Sequence, residues 1–459
     1  MAFLPGSLPP SNFQWRRKQH RSARMKSEDG VVQGVPIEEI EKHPNVKFHR
    51  QGILNDEVQK YGEDTKVVKG GSHPEEWSTD PLQRTVVNPP VYHNSTVLFK
   101  TTAAYKYAAS DWPFTGMWYG RHGNPTSWAL EEAFAVIEGG YAACATGSGV
   151  AANNAAILAF VESGDHLIVT DGCYDPTREF CDGFLKRFKV ETTYVSPLIT
   201  PDELAKEIRP NTKIVFVESP SSLSFEIMDI PALAKVAHDA GAVVLCDNTW
   251  GPLVFKSHEM GCDVTINAAT KYIGGHSDIM LGLISAKDET LYRKVKNSVR
   301  ELGCPPGPDD CYLALRGLRT LGVRMRQHDV TTLQIAEWLE GRPEVARVMH
   351  PGLPSHPQHD LFKRDFTGGT GLFGFQLKPY SEKAVEAMID NMKIFAIGFS
   401  WGGYESIVMP TKINKVRSVE YWDYGEGFGP TLRLNIGLES VEDLIVDLEE
   451  GFKRLNAAE

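Results

Sequence analysis

A large α/β domain on a mostly parallel sheet, followed by a smaller α+β domain, is the fold class this sequence predicts. Three observations carry that expectation. The chain has 459 residues, too many for one ordinary core, so two or three domains are expected. Helical and strand patterns alternate from Glu131 to Ala286. The strand-like runs there, "DHLIVTD", "TKIVFVES", "AVVLCDN", "VTINAAT" and "GLISA", are apolar nearly throughout, as strands covered on both faces are.

The elements follow in order. Residues 1–26 hold Arg16, Arg17, Lys18, Arg21, Arg24 and Lys26 and no acidic residue. That composition suits an organellar transit peptide, and equally a solvated tail or read-through ahead of a start at Met25. Residues 27–63 are polar, with one short helix expected in "PIEEIEKH", and globular sequence is expected from near Lys66. The boundaries that result are an extension over 1–65, an arm over 66–120, an α/β domain over 121–330 and an α+β domain over 331–459. "SWALEEAFAVIEGG" spaces Leu130, Phe134 and Ile137 as a helix does and ends in a glycine pair. "AACAT" reads as a strand and "GVAANNAAILAFVES" as the helix after it. "PDELAKEI" and "PALAKVAHDAG" open with proline in the first turn. Beyond Ala286, "LYRKVKNSVRELG" and the run from Asp309 to Gly341 read as long helices. "FGFQL" and "TLRLNIG" then read as strands, and "EKAVEAMIDNM" and "VEDLIVDLEEGFKRL" as helices.

The formal charge of −11 argues against a nucleic-acid partner. No apolar run approaches the roughly 20 residues that span a bilayer. The seven cysteines are scattered without a CxxC pair, which speaks for small core residues in a reducing compartment rather than a disulfide framework or a zinc site. A cytoplasmic location is expected, or an organelle if residues 1–26 act as a transit peptide. No metal is expected.

Three features carry chemistry. In "ATGSGVAAN" a strand ends, Gly147 and Gly149 turn the chain, and a helix opens, which offers amide N–H groups and a positive helix end to an anion. The spacing Gly147-x-Gly149-x-x-Ala152, with Asp171 ending the next strand, also meets a dinucleotide fingerprint, and a purely structural turn would look the same. Asp247 in "AVVLCDNTW" and Lys271 in "NAATKYIGGHSD" are expected to end consecutive strands on that same edge. A carboxylate and an amine beside an anion cradle are what pyridoxal phosphate needs: a partner for its ring nitrogen, a lysine for its aldehyde and a seat for its phosphate. A dinucleotide leaves Asp247 and Lys271 without a task, so the pyridoxal reading is preferred.

The stretches "NPPVYHNSTVLF", "WYGRHGNPT", "GCYDPTREFCDGF", "NTKIVFVESPSSLSFEIMDIPA", "LCDNTWGPL", "INAATKYIGGHSDIMLG", "LALRGLRTLGVRMRQH", "RDFTGGTGLFGF", "SWGGYES" and "TLRLNIGLE" run from about residue 66 to 455. With them the chain resembles the trans-sulfuration family of pyridoxal-phosphate enzymes, and within it the β-lyase branch. The resemblance implies the transferase-like fold of the aspartate aminotransferase type. It implies that Lys271 forms the Schiff base with the cofactor and later moves protons, that Asp247 pairs with the ring nitrogen, and that Tyr174 stacks on the ring. Gly147, Ser148 and Thr270 would hold the phosphate, joined by Tyr119 and Arg121 from a neighbouring subunit, which the 66–120 arm would contact. Arg433 would hold the substrate α-carboxylate, with Ser400 and Trp401 nearby. A homo-oligomer is implied, a tetramer built as a dimer of dimers.

The chain departs from the commoner family pattern at Ala268, where many relatives carry serine, and at Ser148, read against the methionine of "SGM" loops. γ-Acting relatives often carry glutamate before the "S-x-G-G" serine; here it is Phe399. Phe399, Trp401 and Trp250 point to α,β-elimination, with L-cystathionine cleaved to homocysteine, pyruvate and ammonia. γ-Elimination, γ-replacement, and β-cleavage of another cysteine S-conjugate are the alternatives. His276 and Asp278 are expected to hold the shape of their loop.

Overall fold

The computed structural model describes residues 56–74, 77, 84–110, 114 and 116–459, together with two short strands, β1 (Val31–Val32) and β2 (Val35–Pro36), that pair antiparallel. The basic segment 1–26, and "PIEEIEKH" beyond Pro36, lie outside the described residues. The chain divides into two units. The smaller one includes β1, β2 and the helix Thr102–Ser110, where the Phe99 ring meets Tyr105 edge-on at 5.6 Å.

Both main sheets lie in the larger unit, Arg50–Val97 with Met117–Glu459. Its first helices, Asp56–Gln59 and Glu63–Lys69, bury Val58 and Val67, so packing begins before Lys66. The large sheet has seven strands: β3 (Ala142–Thr146), β4 (His166–Thr170), β5 (Glu191–Val195), β6 (Thr212–Glu218), β7 (Val243–Asp247), β8 (Val264–Asn267) and β9 (Gly282–Ala286). Their order is β3-β9-β8-β7-β6-β4-β5. Only β9 runs against its neighbours; the other pairings are parallel. The carboxyl ends of β3, β4, β6, β7 and β8 therefore share one edge, where ligands bind in open α/β sheets. The apolar runs expected as strands form β3, β4, β6, β7, β8 and β9. β5, "ETTYV", is an edge strand buried only at Val195, and its mixed polar sequence carries no such signal.

Helix ends follow local chemistry. Asn124 caps Pro125–Glu138 through the amides of Thr126 and Ser127, Ser127 bonds back to Asn124, and Gly139 closes the helix at φ 76°. Ser148 caps Gly149–Leu158 through the Ala151 amide. The run from Asp309 to Gly341 is two helices rather than one, Pro308–Leu318 and Leu321–Glu340. The Thr320 hydroxyl and the Arg324 guanidinium both bond the Gly317 carbonyl, which takes it out of a continuing helical ladder.

The second sheet holds β10 (Val345–Met349), β11 (Leu372–Leu377), β12 (Ala396–Ile397), β13 (Ile407–Thr411) and β14 (Thr431–Asn435), in the order β10-β11-β14-β13-β12. The helices Glu382–Ile389 and Val441–Ala458 pack on it through Met388, Leu444, Leu448 and Phe452 against Phe373, Phe375 and Leu434. Each such side chain contributes roughly 1.5–3 kcal/mol on burial. All seven cysteines are free thiols, and all but Cys304 are buried. Among the described residues no helix is long and apolar enough to cross a membrane.

Candidate active site

Asp247 is the last residue of β7 and is buried. Its Oδ1 accepts from the Thr249 amide at 3.0 Å and the Thr249 hydroxyl at 2.5 Å, and its Oδ2 accepts from Asn153 Nδ2 at 3.0 Å. Every donor in contact is neutral. Burial raises the pKa of this carboxyl, opposed by those bonds and by the charge of Lys271.

Lys271 does not end a strand, contrary to the sequence expectation. β8 stops at Asn267, and a turn carries the lysine, with its amide on the Ala268 carbonyl (3.0 Å) and its carbonyl on the Gly275 amide (2.7 Å). Short apolar "AA" continues the strand pattern without continuing the strand. The Lys271 amine donates to Ser400 Oγ at 3.0 Å and stands 5.3 Å from the Trp401 ring centre. Its pKa falls to about 8, first through burial and then through the nearby Arg433, against the pull of Asp247.

Arg433 lies mid-strand in β14, 9% exposed. It donates to the carbonyls of Phe399 (2.6 Å) and Ser400 (3.3 Å) and forms no ion pair among the described residues. Burial lowers its pKa to about 10. A buried guanidinium without a carboxylate costs free energy unless a ligand supplies one. Lys271, Ser400, Trp401, Arg433 and Asp247 are thus gathered around one spot.

Tyr174 is 44% exposed and opens the helix Asp175–Glu179. Its amide donates to Glu218 Oε2 at 2.7 Å. Burial raises its phenol pKa, and the charge of Asp247 adds to that. Thr270 bonds Leu281 both ways: the Leu281 amide donates to its hydroxyl at 3.0 Å, and the hydroxyl donates to the Leu281 carbonyl at 3.2 Å.

The glycine turn needs a correction. Gly147, expected to offer its amide to a phosphate, gives it to the Cys304 carbonyl at 2.9 Å. A side chain at Gly147 would meet only ordinary contacts, whereas a Cβ on Gly149 would lie 2.6 Å from that of Ala268. Gly149 is therefore the glycine that sterics demand. The Ser148 hydroxyl is spent on the Ala151 amide. In the first helical turn that leaves the amides of Gly149 and Val150 for an anion.

Tyr119 and Arg121 stand apart. Both are exposed, Arg121 donates to the Arg300 carbonyl at 2.6 Å, and Tyr119 lies against His122. Neither touches Lys271, Asp247 or Tyr174 among the described contacts. Asp171, the acid the dinucleotide reading assigned to a ribose, is saturated by Arg178, the Ser418 hydroxyl and the amides of Ser418, Val419 and Glu420. Trp250 is core: its indole donates to the Leu372 carbonyl and packs on Phe362 and Phe366. His276 turns back onto the Gly274 carbonyl at 2.7 Å, inside its own loop.

Two residues escaped sequence reasoning. Asn153 links Asp247 to the Thr177 hydroxyl at 3.0 Å. Its signal was a polar side chain in an alanine-rich helix. Glu218 lies beside Asp247 in the sheet, and burial pushes its carboxyl well above the usual range. It was hidden as the last letter of an apolar run.

A buried carboxylate bonded only to neutral donors, an amine with a lowered pKa, a guanidinium without a carboxylate among the described residues and a glycine-lined helix start fit one kind of ligand. That ligand has a ring nitrogen to protonate, an aldehyde and a phosphate, so the class is a pyridoxal-phosphate enzyme. The chain belongs to the family of Cys/Met metabolism PLP-dependent enzymes, whose model matches residues 64–453. It is 43% identical over 405 residues to a putative cystathionine beta-lyase of Rhizobium johnstonii, covering 87% of this chain and 98% of that one. It is 39% identical over 373 residues to the cystathionine beta-lyase MetC of Escherichia coli, covering 80% and 94%. A solved cystathionine gamma synthase from Xanthomonas oryzae pv. oryzae, in complex with aminoacrylate and cysteine, superposes with a TM-score of 0.77 at 31% identity, covering 87% of this chain and all of that one.

Proposed function

We propose that this protein is a carbon–sulfur β-lyase that cleaves L-cystathionine to homocysteine, pyruvate and ammonia. The observation that carries the reading is the Lys271 amine, held at 3.0 Å from Ser400 with its pKa lowered to about 8, between Asp247 and an unpaired Arg433. Lys271 would hold the cofactor aldehyde, and its free amine would take the substrate's Cα proton. Pyridoxal phosphate, when bound, supplies an electron-accepting ring for the charge left at Cα. Asp247 keeps the ring nitrogen protonated, and Asn153 and Thr249 keep Asp247 aimed. Tyr174 covers the ring face. The amides of Gly149 and Val150 hold the phosphate, with Ser148 and Thr270 shaping the seat rather than filling it. Arg433 takes the substrate α-carboxylate beside Ser400 and Trp401. Tyr119 and Arg121 reach the phosphate of a second copy, which makes a homo-oligomer, a dimer of dimers, the working form.

γ-Chemistry needs a further proton transfer at Cβ. The place where such a group would stand holds Phe399, which is 89% exposed and has nothing to titrate. Incubating the holoenzyme with cystathionine should release pyruvate and homocysteine. Release of 2-oxobutyrate instead would assign the γ-reaction, and a panel of cysteine S-conjugates ranks the substrates. The working place is the cytoplasm, or an organelle if residues 1–26 direct import; fractionating cells that carry the chain with and without residues 1–26 decides between them.

A pH dependence follows from the lysine. Below about pH 8 the Lys271 amine of the cofactor-free protein is an ammonium without a lone pair, and above it the neutral nucleophile dominates. Uptake of pyridoxal phosphate should therefore speed up with pH and reach half its maximal rate near pH 8. A midpoint near the ordinary lysine value of about 10.4 would contradict the buried site.

A further inference from the structure

The motif "LALRGLRTLGVRMRQH" has no task in the site as described. Arg324, within it, is buried in the helix Leu321–Glu340. Its guanidinium donates only to neutral acceptors: the carbonyls of Tyr272 (2.6 Å), Ile273 (3.3 Å) and Gly317 (2.8 Å) and the Thr320 hydroxyl (3.2 Å). It forms no ion pair among the described residues. A cation taken out of water without a counter-charge is costly. One glycine makes room for it and a second lets its helix approach the turn. A Cβ on Gly275, whose φ is +68°, would lie 2.2 Å from Arg324 Nη1, and a Cβ on Gly317 would lie 2.3 Å from the Gly274 carbonyl oxygen. The second glycine of "KYIGGH" and the glycine of "LRGL" thus both serve one contact. Tyr272 and Ile273 are the two residues directly after Lys271, and the Gly275 amide bonds the Lys271 carbonyl. The guanidinium fastens the turn that carries the amine to two helices behind it.

We propose that Arg324 is a positioning residue for Lys271: by clamping the Tyr272–Gly275 turn it places the amine for proton transfer at the substrate Cα, without taking part in cofactor binding. The inference rests on the proposed function only in taking Lys271 as the base.

The test uses the holoenzyme and exchange of the Cα proton of L-alanine in D2O, followed by proton NMR, which needs no β-cleavage. In Arg324→Lys a single ammonium cannot reach three carbonyls and a hydroxyl together. Exchange per bound cofactor should fall about 10- to 100-fold, the scale on which a misplaced catalytic group costs rate. Bound pyridoxal phosphate, read by its absorbance, should stay near wild type, because Gly149 and Val150 are untouched. Thr320→Val, which removes the hydroxyl that accepts from Arg324 Nε and donates to the Gly317 carbonyl, should fall in the same direction by a smaller factor and covers the case in which Arg324→Lys does not fold. Unchanged exchange per bound cofactor in folded Thr320→Val or Arg324→Lys would overturn the proposal. So would cofactor content that falls in step with exchange, the mark of a purely structural role. A wild-type enzyme that exchanges the alanine proton yet releases no pyruvate from cystathionine would sink the β-lyase reading and leave this one standing.

Discussion

Lys271→Ala should lose cystathionine cleavage by more than about 10⁴-fold, the upper range for one positioned base, because the same side chain also holds the cofactor. The visible band of the lysine-linked cofactor should vanish with it, while the phosphate seat remains. The substitution should not unfold the chain. Lys271 is fastened by main-chain bonds to Ala268 and Gly275, and truncation removes one side-chain bond, to Ser400. Retained colour together with retained turnover would remove Lys271 from the centre of the site. The same variant tests the oligomer. If Arg121 serves the site of a second copy, Arg121→Ala is also impaired, yet in a mixed dimer of the two variants one site has both intact residues. Dissociating, mixing and reassembling the two variants should then restore about a quarter of wild-type activity, as random pairing in a two-fold dimer requires. No recovery from variants that do reassemble would place Arg121 and Lys271 in service of the same chain.

The strands that form the site's floor were legible because they are buried on both faces and so read as unbroken apolar runs, with Asp247 as an interruption at the end of one. The triplet of glycine turn, carboxylate and lysine was legible for the same reason: charge at the rim of an apolar sheet stands out. Where a turn borrows the composition of a strand, the reading slipped. The "AA" of "NAAT" is apolar and small, yet β8 ends at Asn267, since Ala268 must face Gly149 and the chain must turn to let Arg324 reach Tyr272 and Ile273. The choice of Gly147 over Gly149 failed because an amide's partner can lie far along the chain, here Cys304. Spacing names the glycines; only the fold says which amide is free. Asn153, Glu218 and Arg324 stayed hidden because each is defined by what it touches, and the partners that tie them to the site, Asp247 for Asn153, Tyr174 for Glu218 and Tyr272 for Arg324, lie far off in sequence.

Asp247→Asn should keep the fold and lose the chemistry. Asn at 247 can still accept from the Thr249 amide and hydroxyl, but its amide NH2 would face that of Asn153, where the carboxylate accepts at 3.0 Å. Asn153 can relieve this by turning over. Its own Oδ1 is buried without a partner among the described residues, and the Thr177 hydroxyl that now accepts from its Nδ2 can donate instead. What the variant lacks is the negative charge. Without it the ring nitrogen has no counter-charge, and kcat should fall by about 10²- to 10³-fold, the size of effect seen when one preorganised electrostatic partner is removed. KM should change little, since Arg433 is untouched. A second readout fixes the cause. Asp247 favours the charged form of Lys271 against burial and Arg433, which hold its pKa down to about 8. An anion beside an ammonium raises the ammonium's pKa, so removing the anion lowers it. In the cofactor-free variant the midpoint for pyridoxal phosphate uptake should therefore move below about 8. A midpoint that stays put or rises would mean that Asp247 and Lys271 do not share a field, and the carboxylate's place in the site would fall with it.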